Sequence, residues 1–180
     1  KVWHFTADYQ DKPFHPVSHV VGQRLRKLGL TQDQQLVVAD ILSVGALQGR
    51  SFAAPVVIAT LQQDHQERNF YPYDIQSDNL IDLLDEMLVA DGLLLEELPS
   101  PQHPVGVWRY RFASELIWLT VARYGLSSIQ KPRLSLKLAR HLEALYTLNL
   151  HSLAPTLARL FKEGEDIKRA EYYRHLAEIL

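Results

Sequence analysis

Residues 77–112 determine most of the fold, and their sequence is SDNLIDLLDEMLVADGLLLEELPSPQHPVGVWRYRF. Ser77 or Asp78 is a suitable N-cap, because a short polar side chain can accept a hydrogen bond from the first turn of a helix. Apolar residues then recur at helical spacing over residues 80–88. Gly92 follows as a terminator, so this part of the chain is predicted to be a helix.

A β-hairpin is predicted directly after that helix. Residues 93–97 and 107–112 have the apolar composition and the alternation of short strands. Three prolines punctuate the turn at 99–104. Only helices are predicted further on, at residues 113–124, from Ser127 or Ser128 to Tyr146, at 151–163 and at 166–180.

Three helices are predicted before residue 77. The first runs from Pro16 to Leu28, the second is capped by Thr31 with Gln34 and closed by Gly45, and the third is capped by Ser51 and runs from about Pro55 to Leu61. Residues 62–76 are polar and are predicted to form a loop. Nearer the start of the chain, a short strand is predicted at residues 2–5 and a turn at 9–14.

The order of these elements predicts the fold class. Three helices followed by a two-stranded wing is the winged-helix arrangement. The last two helices are typical of a repeat-type α-hairpin, which needs neighbours to cover its open face. We therefore expect a mainly α protein: a winged-helix domain with a small β-hairpin, followed by α-helical hairpin repeats.

Composition excludes several classes of protein. The 180 residues are 47% hydrophobic and 22% charged, which is typical of globular domains and argues against wholesale disorder. The chain has no cysteine, so a disulfide scaffold, a cysteine nucleophile and a thiolate metal site are all excluded. Uninterrupted apolar runs are too short to span a membrane, and we expect a cytoplasmic protein. The sequence begins at Lys1, which indicates a processed chain or a piece of a longer protein.

The net charge of −2 conceals two opposed segments. The acidic segment, residues 76–98, has seven carboxylates and no Lys or Arg, and the basic segment, residues 109–141, has seven cations and one carboxylate. An acidic helix in the recognition position opposes DNA binding, because phosphate contacts need basic groups. Either the two segments are simply solvated helix faces, or they dock a neighbouring domain or partner. The candidate docking residues are Asp78, Asp82, Asp85, Glu86, Arg133, Lys137 and Arg140.

No catalytic or metal motif is found in the sequence. Residues 45–51 (GALQGRS) resemble a phosphate loop only superficially, since the glycines are one residue too close, Arg replaces Lys and a helix precedes them. His15 and His19 have the spacing of a metal pair but no third ligand nearby, so we interpret them as surface residues. We expect this chain not to be an enzyme, and to hold no metal.

Five stretches, in order, resemble one family. They are residues 16–29 (PVSHVVGQRLRKLG), 36–52 (LVVADILSVGALQGRSF), 80–94 (LIDLLDEMLVADGLL), 110–117 (YRFASELI) and 157–173 (LARLFKEGEDIKRAEYY). The first, which follows Trp3, is similar to the exit from the nucleotide-binding core of STAND-type signalling ATPases, relatives of AAA+ proteins. The next three resemble their winged helix, and the last resembles the start of their tetratricopeptide-like repeats.

The resemblance implies a domain organisation. Residues 1–30 would be the exit segment and linking helix from an ATPase core that lies before Lys1, residues 31–125 the winged-helix domain, and residues 126–180 the helical repeats. ATP or ADP and magnesium would belong to the parent protein and not to this chain. Where family members commonly hold a histidine, which in some relatives contacts ADP, this chain has Ser114. Arg111 is the remaining candidate for a phosphate contact.

The resemblance also implies a function. This chain would be a non-catalytic regulatory module that transmits nucleotide or effector state to an output domain, in transcription regulation or in cyclic-nucleotide or kinase signalling. Its partners would be its own ATPase core or another protein domain, with a protein or small-molecule effector at the repeats, and neither DNA nor a membrane. The alternative is a DNA-binding winged-helix transcriptional regulator that uses the wing and the basic residues 109–140.

Overall fold

A computed structural model describes residues 16–68, 77–101 and 103–179. The chain is mainly helical, with a small antiparallel sheet of three strands. The elements are α1 (Pro16–Lys27), α2 (Gln32–Gln48), β1 (Ser51–Ala53), α3 (Ala54–Arg68), α4 (Ser77–Leu83, continued by a π-helical segment, Leu84–Val89), β2 (Leu94–Glu96), β3 (Arg109–Phe112), α5 (Glu115–Tyr124), α6 (Gln130–Leu145), α7 (Leu150–Glu163) and α8 (Ile167–Glu178). The strand predicted at 2–5, the turn at 9–14 and His15 lie outside the described residues.

Local capping signals account for several helix ends. The predicted capping box before α2 is present: Gln34 N–H donates to Thr31 Oγ1 at 3.3 Å, and Thr31 N–H donates to Gln34 Oε1 at 2.9 Å. Ser127 and Gln130 make the same reciprocal pair at the start of α6. Each pair satisfies amides that the first helical turn leaves without a partner.

Three predicted boundaries are wrong, and all lie between residues 45 and 68. Gly45 does not end α2, which continues to Gln48, and its missing Cβ instead makes room for the Phe52 ring, which would lie 3.0 Å from it. Ser51 does not cap a helix but begins β1. The predicted loop from Gln62 is helical as far as Arg68, where α3 ends.

The sheet has the order β1-β3-β2, so the predicted hairpin of β2 and β3 is confirmed and a third strand joins it. Its inner face is aromatic: the Phe52 ring lies 6.0 Å from the Tyr110 ring and 5.6 Å from the Phe112 ring, centroid to centroid. All three side chains are buried. Tilted rings at this distance gain about 0.5–1.5 kcal/mol per pair beyond their area burial, which fixes β1 on the hairpin.

One continuous hydrophobic core extends from Leu25 in α1 to Tyr173 in α8. Across residues 125–126, where the resemblance places a domain boundary, α6 packs on α3 and α7 contacts α2. The final pair of helices packs closely, with the Phe161 and Tyr173 rings stacked at 5.7 Å. None of the helices in the described ranges is long and apolar enough to cross a membrane.

Candidate interaction surfaces

The predicted acidic residues of α4 and its π-helical extension differ in exposure. Asp82 and Glu86 are exposed to solvent. Asp85 is half-buried, and its Oδ1 accepts a hydrogen bond from the Tyr110 hydroxyl at 2.7 Å. Asp78 lies in the first turn of α4, and its side chain is outside the described part of the structure. The outward-facing acidic surface of this segment therefore includes Asp82 and Glu86, while Asp85 anchors the segment to β3.

The bond to Asp85 also changes the chemistry of Tyr110. Burial raises the pKa of the Tyr110 phenol, and the hydrogen bond to Asp85 and the charge of that carboxylate raise it further. Tyr110 therefore stays protonated and can act here only as a donor to Asp85. The contact is structural, because it joins the core face of the sheet to the acidic helix.

Two of the predicted basic docking residues converge on a carboxylate within the chain. Arg133 on α6 donates to both oxygens of Asp64 on α3, from Nε to Oδ1 at 2.7 Å and from Nη2 to Oδ2 at 3.1 Å. Lys137 Nζ donates to Asp64 Oδ1 at 2.8 Å and also pairs with Glu67. We call Asp64, Glu67, Arg133 and Lys137 the α3–α6 ion cluster.

Two members of the α3–α6 ion cluster, Asp64 and Lys137, are removed from solvent, whereas Arg133 is half-buried and Glu67 is exposed. The side chain of Asp64 is 5% exposed and that of Lys137 is 8% exposed. Burial alone would raise the pKa of Asp64, but the hydrogen bonds and charges of Lys137 and Arg133 outweigh it and lower that pKa. Asp64 is therefore ionised at neutral pH, and its charge holds α6 against α3. Of the three basic residues predicted to dock a partner, Arg140 is the exposed one.

A second ion pair ties the β2–β3 hairpin to the C-terminal helices. Arg109 on β3 is buried; its Nε donates to Glu97 Oε2 at 3.1 Å, and its Nη1 donates to the Tyr146 hydroxyl at 3.0 Å. Glu97 also accepts from the Ser51 hydroxyl at 2.6 Å. These contacts join β1, the β2–β3 hairpin and the end of α6 on the outer face of the sheet.

The two residues predicted near nucleotide have different surroundings. The Ser114 hydroxyl accepts the amide of Ile117 at 3.1 Å and so caps α5. Arg111 is exposed on β3, opposite Ser51 on one side and Leu95 on the other. None of the described residues forms a hydrogen bond or an ion pair with the Arg111 side chain. Arg111 is therefore available to an external anion, whereas Ser114 already has an intramolecular role.

Sequence reasoning missed Asp64, on which Arg133 and Lys137 converge, and Tyr146, which accepts a hydrogen bond from Arg109. A signal for Asp64 was present: Leu61, Asp64, His65 and Arg68 continue the helical spacing into the segment interpreted as a loop. Nothing in the sequence near Tyr146 indicates its contact with Arg109, 37 residues away.

Comparison of the chain with family models, with curated proteins and with solved structures finds no match in any of the three. Within the described ranges, no group of three or more histidine, aspartate or glutamate side chains is placed to hold a metal ion. Function is therefore inferred from the surfaces and contacts of the chain itself.

Proposed function

We propose that this chain is a non-catalytic regulatory module of a STAND-type signalling ATPase, in which a winged helix docks on a nucleotide-binding core and the following helices accept a partner. The observation that carries the proposal is the exposed acidic surface of α4, with Asp82 and Glu86 facing solvent and no basic residue within the acidic segment. Such a surface repels nucleic acid and suits a protein partner.

The topology supports the winged-helix part of the proposal. The order α2-β1-α3-α4-β2-β3, with β1 paired to β3, is the order expected of a winged helix whose recognition helix is α4. The antiparallel pair α7 and α8 supports a repeat-type hairpin. The continuous core across residues 125–126 supports movement of both parts as one unit, so that docking at α4 can be transmitted to the helical end.

The basic residues offer little support for the alternative, a DNA-binding regulator. Arg109 is buried against Glu97 and Tyr146, and Lys137 is buried against Asp64. Arg133 is half-buried on the same Asp64 carboxylate. A DNA surface built from residues 109–140 would retain Arg111, Arg123 and Arg140 as exposed cations, since the seventh cation, Lys131, is half-buried and pairs with Glu163. Six or more phosphate contacts are typical of a tight DNA complex.

The test is DNA binding measured against salt, by gel shift and fluorescence anisotropy with a mixed-sequence duplex. We expect no binding at about 150 mM salt, and the same result for the double variant Arg111→Glu/Arg140→Glu. Both positions are exposed, so the variant keeps the fold. Tight binding with a steep salt slope that the double variant abolishes would establish the alternative.

A separate test addresses the relation to ATPases. If the parent gene encodes residues before Lys1, we expect a Walker-type phosphate loop there, because this chain would supply only the regulatory part. An upstream region without such a loop would overturn the ATPase relation and leave the interaction module intact. Purified chain should also hydrolyse no ATP.

A further inference from the structure

Helices α7 and α8 leave a groove between them, which we call the α7–α8 groove. Its volume is about 470 Å³, and its apolar lining is Ala158 on α7 with Ile167 and Ala170 on α8. The two alanines form the floor, since both are largely covered, whereas Ile167 is 54% exposed at one end. Because alanine side chains are short, the groove offers an apolar surface that another chain can approach closely.

The length of the α7–α8 groove suits a helix. Its lining on α8 extends from Ile167 to Arg174, and seven residues of helix rise by about 10 Å. Two turns of a partner helix span that length and place two or three side chains of an apolar stripe in the groove. A bilayer surface, by contrast, is reached by apolar side chains that protrude and not by a floor between two helices.

The wall that α7 contributes to the groove is basic. Lys162 is exposed, and none of the described residues forms a hydrogen bond or an ion pair with its side chain. Arg159 is fixed in position, because its Nη2 donates to two carbonyl oxygens at the C-terminal end of α2. Arg159 Nη1 also pairs with Glu163 at 3.3 Å, but Lys131 pairs with the same carboxylate at 3.9 Å. This wall therefore keeps a net positive charge.

The wall that α8 contributes is not basic. It carries Glu171 and Arg174, which are three residues apart. Arg174 Nη1 lies 3.5 Å from Glu178 Oε1, and none of the described residues forms an ion pair with Glu171. A nucleic acid strand or an anionic membrane would bring negative charge against both walls, which is unfavourable at Glu171. Carboxylates along one flank only are complementary to this pair of walls.

We propose that the α7–α8 groove binds an amphipathic helix of a partner protein, with its apolar side chains on the alanine floor and carboxylates along one flank facing Arg159 and Lys162. This inference rests on the proposed function, in which the helices after the winged helix accept a partner, and it names the chemistry of that partner. It does not involve α4 or the ATPase relation.

The experiment uses the full chain labelled with ¹⁵N and two peptides, acetyl-EAQLAQLEAQLEAL-amide and its counterpart with lysine in place of each glutamate. In a helix, the leucines of these peptides form one stripe and the charged residues lie along one flank of it. We expect amide shifts in α7 and α8, with a Kd on the order of 0.1–1 mM for the glutamate peptide. The lysine peptide should bind about tenfold more weakly at low salt, and added salt should reduce the difference.

Protein variants separate charge from shape. Lys162→Glu changes the basic wall and should reduce the preference for the glutamate peptide to about twofold. Lys168→Glu is the control, because it changes an exposed cation of α8 outside the groove, and it should leave the preference as it is. Ala158→Leu fills the floor and should weaken both peptides about tenfold, whereas Ala144→Leu on an exposed face of α6 should not. Circular dichroism verifies that each variant is folded.

Three outcomes would overturn the inference: no shifts in α7 or α8 at about 2 mM glutamate peptide, equal affinities for the two peptides at low salt, or the same loss of preference in Lys168→Glu as in Lys162→Glu. Binding of the chain to phosphatidylcholine–phosphatidylserine vesicles that Lys162→Glu abolishes, without binding of the glutamate peptide, would assign the basic wall to a membrane instead. These failures leave the winged-helix module and its ATPase relation standing, because the DNA and upstream-sequence tests do not involve α7 and α8.

Discussion

Helices α4 and α6 both look like charged docking surfaces in the sequence, and the structure uses their charges differently. On α6, Arg133 and Lys137 point into the protein and converge on Asp64. Along α4 and its π-helical extension, Asp82 and Glu86 face solvent. A charge that is buried and paired contributes to the fold, whereas an exposed charge is left to solvent or to a partner. Arg133 and Lys137 of α6 therefore make interior contacts, and Asp82 and Glu86 carry the docking surface that we propose.

The largest expected effect comes from removing the carboxylate at the centre of the α3–α6 ion cluster. Asp64→Ala should lower the free energy of unfolding by about 3–5 kcal/mol, because it leaves the half-buried Arg133 without its carboxylate and the buried Lys137 with only the exposed Glu67 as partner. Urea unfolding followed by circular dichroism measures this loss. Asp82→Ala is the control on α4 and should change the value by no more than about 0.5 kcal/mol. Equal losses in the two variants would contradict the difference between α4 and α6.

Two arginines on the four-residue strand β3 allow the same comparison of a buried with an exposed charge. Arg109→Met should cost about 2–4 kcal/mol, since it removes the buried partner of Glu97 and the donor to Tyr146. Arg111→Met, on the exposed face, should be within about 0.5 kcal/mol of the unmodified chain. Thermal unfolding of the two variants side by side tests the prediction, and a loss in Arg111→Met as large as in Arg109→Met would refute it.

His141, which lies near Lys137 of the α3–α6 ion cluster, should make the free energy of unfolding depend on pH. Burial is the largest cause that lowers the pKa of His141, followed by the charge of Lys137, and His141 Nε2 lies 3.0 Å from Gln63 Oε1. A histidine whose folded-state pKa is lowered binds protons more readily when unfolded. The stability that His141 contributes is therefore fully present above pH 6.5, the pKa of a histidine in the unfolded chain, and is lost as the pH falls below that value.

We expect the urea concentration at the unfolding midpoint to decrease as the pH is lowered from about 6.5 to 5. This decrease should be smaller in His141→Gln. His151→Gln, at an exposed position on α7, is the control and should leave the pH dependence of the urea midpoint as it is in the unmodified chain. Asp64 adds a further loss at lower pH, because its pKa is lowered and its stabilisation disappears as it becomes protonated. A midpoint that is independent of pH between 7 and about 5 would show that His141 is not buried against α3.

The elements predicted correctly are those specified by neighbouring residues. The capping box of Thr31 and Gln34 and the helix ends near residues 27 and 163 depend on contacts within a few positions of the chain. The β2–β3 hairpin pairs residues that are 14 to 18 positions apart, still far closer than β1 is to β3. β1 was missed because three residues become a strand only through pairing with β3, about 60 positions away. A strand this short has no periodicity of its own from which to predict it.

The interaction surfaces were less predictable for the same reason. Arg133 and Lys137 are separated from Asp64 by 69 and 73 positions. In the sequence they are indistinguishable from Arg140, which is exposed. Charge counts over a segment therefore identify which residues are available for ion pairs, but long-range packing decides which of them are used. Ser114 is the opposite case, because its role depends on a contact three residues away. A serine directly before a helix is a preferred N-cap residue, so this role was predictable from the sequence.

The smallest effect on stability is expected at the acidic surface, where a change in binding should appear instead. The double variant Asp82→Lys/Glu86→Lys should alter the free energy of unfolding by no more than about 0.5 kcal/mol per site, because both side chains are exposed. It replaces two anions by two cations on the helical segment that precedes the β2–β3 hairpin. We therefore expect weak, salt-dependent binding to duplex DNA in the variant and none in the unmodified chain, measured by anisotropy at low salt. The matched variant Asp82→Gln/Glu86→Gln removes charge without adding any and should bind much less. If the lysine variant still fails to bind, the acidic side chains are not what keeps α4 from DNA, and the shape of the surface must be responsible.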